Sequence, residues 1–215
     1  MRAILIHGMG RTPASMLILA LRLRSAGIRP HFFAYSAAFE RWKTCVNRLE
    51  SYIHQHTCND EFIIIGHSLG TVLTRGVLPK LTHKPVACFF LAPPTKACFA
   101  ARKLAHLRLY KLLTGEMGQL LANPAFMDSL HQPDIPTKTY AGNAGLRGRY
   151  SPFGEQPNDS ILTVEETLLP NIPSETIKSV HTFIMNKKAV ADDIINFTNG
   201  AKKDNLKNLK RILHG

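Results

Sequence analysis

Long apolar runs are missing from this 215-residue sequence, and none approaches the ~20 residues that a membrane-spanning helix needs. Internal repeats and low-complexity tracts are also missing, which excludes solenoid and repeat architectures. The first residues show no basic leader followed by an apolar core and a small-residue cleavage site. We therefore expect one soluble, cytoplasmic domain over residues 1–215, with a processed secreted form as the alternative.

Cysteines are few and are not spaced as metal ligands. The chain has four, and none forms a CxxC pair: Cys45, Cys58, Cys88 and Cys98. Cys88 lies in an apolar run, where a free thiol packs as a small hydrophobic side chain. The sequence thus predicts structural thiols, no metal site, and chemistry that needs no cofactor.

Negative charge is scarce, since the chain has 15 acidic residues against 27 Lys and Arg, which gives a net charge of +12. Such a balance attracts nucleic acid, anionic membranes or acidic polymers. Because no nucleic-acid-binding motif is present and the cations are scattered, we expect no nucleic-acid partner. The basic stretch at 201–215, with interleaved leucines, predicts either a solvated terminal helix or a weak contact with an anionic membrane surface.

Alternating strand and helix patterns predict an α/β fold. Six runs predict strands, three strong at 3–6, 62–65 and 86–91 and three weaker at 30–35, 138–141 and 176–180. Helical periodicity follows the early strands, with apolar faces at Leu17, Ile18 and Leu21, at Trp42, Val46, Leu49 and Ile53, and at Leu69, Val72, Leu73 and Val77. We expect about six mostly parallel strands with helices on both faces.

Two later segments depart from this alternation. Residues 95–133 carry a helix-like stretch between two strands, and we interpret them as a cap-like excursion, a lid candidate, over the sheet edge. A further helix is predicted over 187–198, packed on the sheet and followed by the basic tail.

The run Gly66-His67-Ser68-Leu69-Gly70 has the GxSxG pattern of a nucleophile elbow. It follows an apolar strand and precedes a helical pattern, which is the context that the motif requires. Residues without bulk at 66 and 70 permit the tight turn that raises the serine hydroxyl above the sheet. Ser68 is therefore the predicted nucleophile.

A serine nucleophile needs an imidazole base oriented by a carboxylate, in the chain order Ser, Asp or Glu, His for this strand–elbow–helix context. Only His181 directly follows a late strand candidate, and His131 is the alternative. Asp159 lies in a turn-rich loop after the strand at 138–141, whereas Glu165 and Glu166 lie in a more apolar segment. The predicted triad is Ser68, Asp159 and His181.

An oxyanion formed at this serine needs backbone N–H donors. The Leu69 amide, directly after the nucleophile, is one predicted donor. The loop after the first strand, His7-Gly8-Met9-Gly10, supplies the Met9 amide as the other, with Gly8 and Gly10 allowing close approach of the backbone. His7 is predicted to order this loop by hydrogen bonding, and His67 to point away from the reacting centre.

With these motifs in place, the chain resembles the α/β-hydrolase superfamily, in particular small bacterial esterases and lipases that lack the first two strands of larger members. The loop HGMG and the elbow GHSLG anchor the resemblance, which extends through 140–143, 153–155, 158–167 and 180–183. It implies a minimal α/β-hydrolase fold that hydrolyses carboxylic esters. Such members often have glycine where Ser160 and Val180 stand here, which bears on the geometry of both loops.

We therefore expect a serine hydrolase acting on a small ester or lipid through an acyl-enzyme on Ser68. An acyltransferase or thioesterase would use the same triad. A binding protein that kept the fold without its activity is the alternative of another class.

Overall fold

The computed structural model describes residues 1–58 and 60–213, with side chains described as far as residue 200. Over these residues it contains a six-stranded sheet with strands β1 (Arg2–Ile6), β2 (Arg29–Phe33), β3 (Phe62–His67), β4 (Ala87–Leu91), β5 (Thr137–Gly142) and β6 (Ser174–Ile177). The α-helices are α1 (Leu17–Ser25), α2 (Trp42–Thr57), α3 (Leu69–Val77), α4 (Phe99–Leu104), α5 (Arg108–Leu121), α6 (Pro124–Ser129) and α7 (Lys188–Leu213).

The strands lie in the order β2-β1-β3-β4-β5-β6, and each neighbouring pair is parallel. The predicted parallel sheet is confirmed, with each strand within a few residues of its predicted position. Because the strands are parallel, the loops at their carboxyl ends meet along one edge of the sheet, which is where ligands bind in open α/β folds.

The sheet separates two apolar layers. Side chains alternate along β1, so Ile4 and Ile6 pack into one layer and Ala3 and Leu5 into the other. Helices α2 and α3 cover the first layer, and α1 and α7 cover the second. Strand β3 is buried at every residue, which explains its continuous apolar run in the sequence.

Helix α1 exists as predicted, but its predicted apolar face is wrong. Leu17, Ile18 and Leu21 are each about half exposed, at 48%, 45% and 55% of their surface. Its core is instead formed by Leu19 and Leu23, together with Ala20. The first five residues of this helix are all apolar, so periodicity alone cannot select one face.

Residues 95–133 form α4, α5 and α6 between β4 and β5. The buried Arg75 of α3 holds both ends of this segment, because its guanidinium donates to the carbonyls of Thr95, Leu130 and His131. The middle is less buried, and Leu109 and Leu112 are largely exposed. The segment is therefore fixed to the body at its ends.

The predicted helix at 187–198 is the first part of α7, where Val190 and Ile194 are fully buried against the sheet. The helix continues to Leu213, whereas the side chains of the predicted basic tail at 201–215 lie outside the described residues. None of the helices described is long and apolar enough to cross a membrane.

Candidate active site

Ser68 occupies a sharp turn between β3 and α3. Its backbone has φ 51° and ψ −120°, a left-handed conformation unusual for serine. A side chain at Gly66 would lie 2.8 Å from the Gly70 carbonyl, and one at Gly70 would overlap the Ile6 carbonyl oxygen. The two predicted elbow glycines therefore allow the turn to form, and Ser68 remains partly exposed at its tip.

Asp159 and His181 form a buried pair. The His181 Nδ1–H group donates to Asp159 Oδ2 over 2.7 Å, with 7% of the histidine side chain and none of the aspartate side chain exposed. The other carboxylate oxygen accepts hydrogen bonds from the amides of Ile161 and Leu162. The His181 amide also donates to the Asp159 carbonyl. These contacts fix the carboxylate and the ring relative to each other.

The loop that carries Asp159 is organised by the fully buried Asn158. Its amide group donates to the Leu146 and Gln156 carbonyls, and its Oδ1 accepts from the Ser160 amide. Ser160 has φ 83°, so the position where family members often have glycine does adopt a glycine-like conformation. Val180 has an ordinary extended backbone, φ −82° and ψ 159°, so valine causes no strain there.

The alternative residues for the base and acid have other contacts. The His131 ring lies 3.5 Å from Asp134, and His131 is not among the residues that line the cavity of Ser68. Glu165 forms an exposed ion pair with Lys96. Glu166 is buried and accepts hydrogen bonds from the Phe99 and Thr163 amides.

The loop after β1 comes close to the elbow. A side chain at Gly8 would lie 3.1 Å from the Ser68 Cβ and 2.8 Å from the His67 Nδ1, so glycine permits this approach. Gly10 has φ 64°. In the described chain, neither the Met9 nor the Leu69 amide donates to another backbone carbonyl outside a helix or strand. The role of these two amides as oxyanion donors stays a prediction.

Two histidines order the loops around Ser68. The His7 Nδ1–H group donates to the Gly8 carbonyl, and the ring stacks on Tyr35 with centroids 4.4 Å apart. The predicted ordering role of His7 is therefore confirmed. The prediction that His67 points away is wrong, because its ring centroid lies 5.0 Å from that of His181 and its Nε2–H donates to the His181 carbonyl. His67 buttresses the loop that carries His181.

Burial determines the protonation state of His7 and His67. Loss of solvation lowers the pKa of His7. It lowers the pKa of His67 much further, and the neighbouring His181 adds to that effect. Both rings are therefore neutral at pH 7.

Ser68 and His181 line one cavity of about 480 Å³ at the carboxyl edge of the sheet. Met9, Gly10 and Arg11 line it from the β1 loop. The 95–133 segment contributes a largely apolar wall that includes Ala101, Leu104, Leu113 and Leu121. The structure thus brings the predicted serine, histidine and Met9 to one mostly apolar chamber.

Sequence reasoning did not identify Tyr35, Asn158 or Arg11 as part of this site. Tyr35 donates to the His7 carbonyl from 28 residues away, which no local pattern reveals. Asn158 was visible only as a turn residue beside Asp159. Arg11 directly follows the glycine loop, and a charged residue at that position was the one feature of the sequence that could have identified it. The described His, Cys, Asp and Glu side chains form no group of three that could hold a metal ion.

The sequence matches no protein-family model and no curated protein. Solved structures do match it. The mature lipase BlEst2 of Bacillus licheniformis is 18% identical over 86% of each chain, with a TM-score of 0.64. The metagenomic carboxyl esterase MGS0156 has a TM-score of 0.71 at 13% identity, over 95% of this chain and 76% of its own. A soluble variant of Saccharomyces cerevisiae monoglyceride lipase has a TM-score of 0.63 at 12% identity, over 92% and 84%. At such identities the likeness shows the fold alone.

Proposed function

We propose, from the premise that this chain has the α/β-hydrolase fold, that it is a serine hydrolase that cleaves carboxylic esters. The observation that carries the proposal is the buried Asp159–His181 pair, whose histidine lines the same cavity as the elbow serine. A lone GxSxG turn could be purely structural. An elbow that shares a cavity with a carboxylate-oriented imidazole has the parts that nucleophilic catalysis requires.

In this mechanism the Ser68 hydroxyl attacks the ester carbonyl while His181 Nε2 accepts its proton. Asp159 holds the Nδ1–H group, which fixes the tautomer and stabilises the imidazolium. The amides of Met9 and Leu69 donate to the oxyanion, each contributing about 3 kcal/mol to transition-state stabilisation. His181 then protonates the leaving alcohol, and water attacks the acyl-enzyme with His181 as its base.

The cavity favours an apolar acyl group. Its wall from the 95–133 segment is largely alanine and leucine, and about 480 Å³ accommodates a chain of several carbons. The proposed substrate class is therefore a small ester or lipid. We also propose that the 95–133 segment moves as a lid and that residues 201–215 contact a membrane surface.

The testing experiment is hydrolysis of p-nitrophenyl esters of increasing acyl length, with labelling by a fluorophosphonate. Ser68→Ala is expected to lower kcat by at least about 10³-fold and to abolish labelling, because it removes the nucleophile. Asp159→Asn is expected to lower kcat by about 10³- to 10⁴-fold with labelling slowed, because the imidazole loses its orienting carboxylate. Ser51→Ala, at an exposed position of α2, is the matched control and should leave both readouts unchanged.

Each outcome separates the alternatives. Full turnover by the Ser68→Ala variant would contradict the proposal. If an added alcohol speeds the release of p-nitrophenol and the product is a new ester, the protein is an acyltransferase. If it prefers a thioester substrate, it is a thioesterase. Absence of both turnover and labelling in the unaltered protein would identify a binding protein.

A further inference from the structure

One residue of the cavity wall is unlike the others. Arg11 is the only permanently charged residue among the described residues that line the cavity. The rest of the wall consists of apolar, hydroxyl-bearing and glycine residues with His67 and His181. Arg11 is only partly buried, and no other lining residue carries a permanent counter-charge, so an anionic ligand would supply one.

The described residues supply no such counter-charge. Arg11 forms no ion pair in the described chain, and its buried Nε has no hydrogen-bond partner there. Its backbone is nevertheless held, because its amide donates to the Gly8 carbonyl over 3.3 Å. The backbone from which the guanidinium extends is therefore fixed by the same loop that carries Met9.

Arg11 also lies close to the reacting centre. Its positive charge is one of the influences that lower the pKa of His67, after burial and the neighbouring His181. It stands two residues after Met9, whose amide is the proposed oxyanion donor. A group bound by Arg11 would thus lie near the scissile carbonyl rather than at the far end of the acyl chain.

We propose that Arg11 forms an anion-binding subsite and that the preferred substrates are amphiphilic esters with a carboxylate or phosphate a few bonds from the scissile carbonyl. A guanidinium presents parallel N–H donors that match the oxygens of either anion. The leucine-lined wall takes the apolar chain of the same molecule. This inference rests on the proposed ester hydrolysis and names its substrate class.

The test uses two matched pairs of esters that distinguish the sources of the anion. p-Nitrophenyl hydrogen succinate carries a carboxylate on the acyl side, and p-nitrophenyl pentanoate is its neutral partner. 1-Octanoylglycerol 3-phosphate carries a phosphate on the alcohol side, and 1-octanoylglycerol is its neutral partner. The unaltered protein is expected to prefer the anionic member of at least one pair, which identifies the natural position of the charge.

Arg11→Gln is expected to raise KM for the preferred anionic ester by about 10- to 100-fold, since a charge-assisted hydrogen bond in a partly buried site is lost. The rise in KM for the neutral partner ester should be at least about fivefold smaller, because that ester has no charge for the guanidinium to bind. Arg11→Lys should recover part of the preference, because it restores the charge without the paired donors. Arg24→Gln, in the last turn of α1, removes the same charge away from the cavity and is the control.

Equal loss on neutral and anionic esters would overturn the inference, because it would assign Arg11 to the oxyanion of every substrate. No anionic preference in the unaltered protein would overturn it as well, and turnover of the neutral esters would leave the proposed hydrolysis standing. If no ester is turned over, binding at the subsite is measured directly as the change in thermal unfolding temperature with octyl phosphate or octanoate. The uncharged 1-octanol is the comparison. A shift with either anion that is lost in Arg11→Gln supports the subsite, and equal shifts in both proteins contradict it.

Discussion

Two serines of the site adopt backbone conformations that glycine adopts more easily. Ser68 has φ 51° at the elbow, and Ser160 has φ 83° beside Asp159. A non-glycine residue with positive φ costs about 1 to 3 kcal/mol, and glycine relieves that strain at the expense of about 0.5 to 1 kcal/mol of unfolded-state entropy. Each position therefore holds a serine against a local conformational preference.

The relief of this strain is measurable. Ser160→Gly is expected to raise the free energy of unfolding by about 0.5 to 1 kcal/mol and to keep activity, because the Ser160 amide still donates to Asn158. Ser68→Gly is expected to be more stable than Ser68→Ala by about 1 kcal/mol, with both inactive. Urea unfolding followed by fluorescence gives these differences. A lower midpoint for Ser160→Gly would show that its φ is not strained.

At this scale the sequence predicted residues that belong to a local motif and missed those defined by distant contacts. The elbow is encoded within five residues, so Ser68 and its glycines could be identified directly. Glycine in place of Ser160 or Val180 was the family pattern, and only the backbone angles show that one departure is strained and the other is not. Arg11 has no motif of its own, and its isolation from carboxylates appears only in the folded chain.

At the scale of elements, one buried carboxylate joins the 95–133 segment to the loop that follows Asp159. Glu166 Oε1 accepts from the Phe99 amide at the start of α4 over 2.7 Å, and Oε2 accepts from the Thr163 amide over 2.9 Å. The Thr95 amide donates to the Glu166 carbonyl. The wall of the cavity and the loop after Asp159 are thus positioned together.

Glu166→Gln should uncouple these two elements, because the amide NH₂ would face one of the two backbone donors. The expected loss is about 1 to 3 kcal/mol of unfolding free energy, with faster hydrogen exchange at the Phe99 amide. Glu165→Gln is the matched control, since its ion pair with Lys96 is exposed to solvent and contributes little to stability. Equal effects of the two substitutions would argue against the link.

The elements themselves were largely predictable, because a parallel strand buried on both faces leaves an apolar run in the sequence. This holds for β1, β3 and β4, and the α/β-hydrolase fold predicted from the motifs is confirmed by the solved structures. The face of α1 was not predictable, since its first five residues are all apolar and mark no distinct stripe. The packing of 95–133 depends on Arg75 and Glu166, which act across more than 50 residues.

For the whole molecule, the buried neutral histidines lower the folding stability in acid. The pKa of His7 and that of His67 lie below the unfolded value of 6.5, so the unfolded chain binds more protons than the folded one once the pH falls below 6.5. Stability is therefore full above pH 6.5 and declines as the pH falls toward the folded pKa values. The slope is about 1.4 kcal/mol per pH unit for each histidine.

Urea unfolding at about pH 7.5, 6 and 5 measures this decline. His67→Gln should lose a large part of the slope, because the pKa of His67 is lowered most, glutamine does not titrate, and its amide can still donate to the His181 carbonyl. His83→Gln, at an exposed histidine, is the control and should keep the full slope. An unchanged slope in His67→Gln would show that other groups bind the protons.

The strand order has a consequence for how the protein is made. From β1 the sheet extends on one side through β3, β4, β5 and β6 in the order of synthesis, so each new strand meets an edge already formed. The elbow at Ser68 leaves the ribosome well before Asp159 and His181. At ordinary translation rates the interval between Ser68 and His181 is roughly 6 to 23 s. During that time the nascent chain carries its serine without the histidine that we propose as its base, so the proposed activity begins only after the last strand has been added.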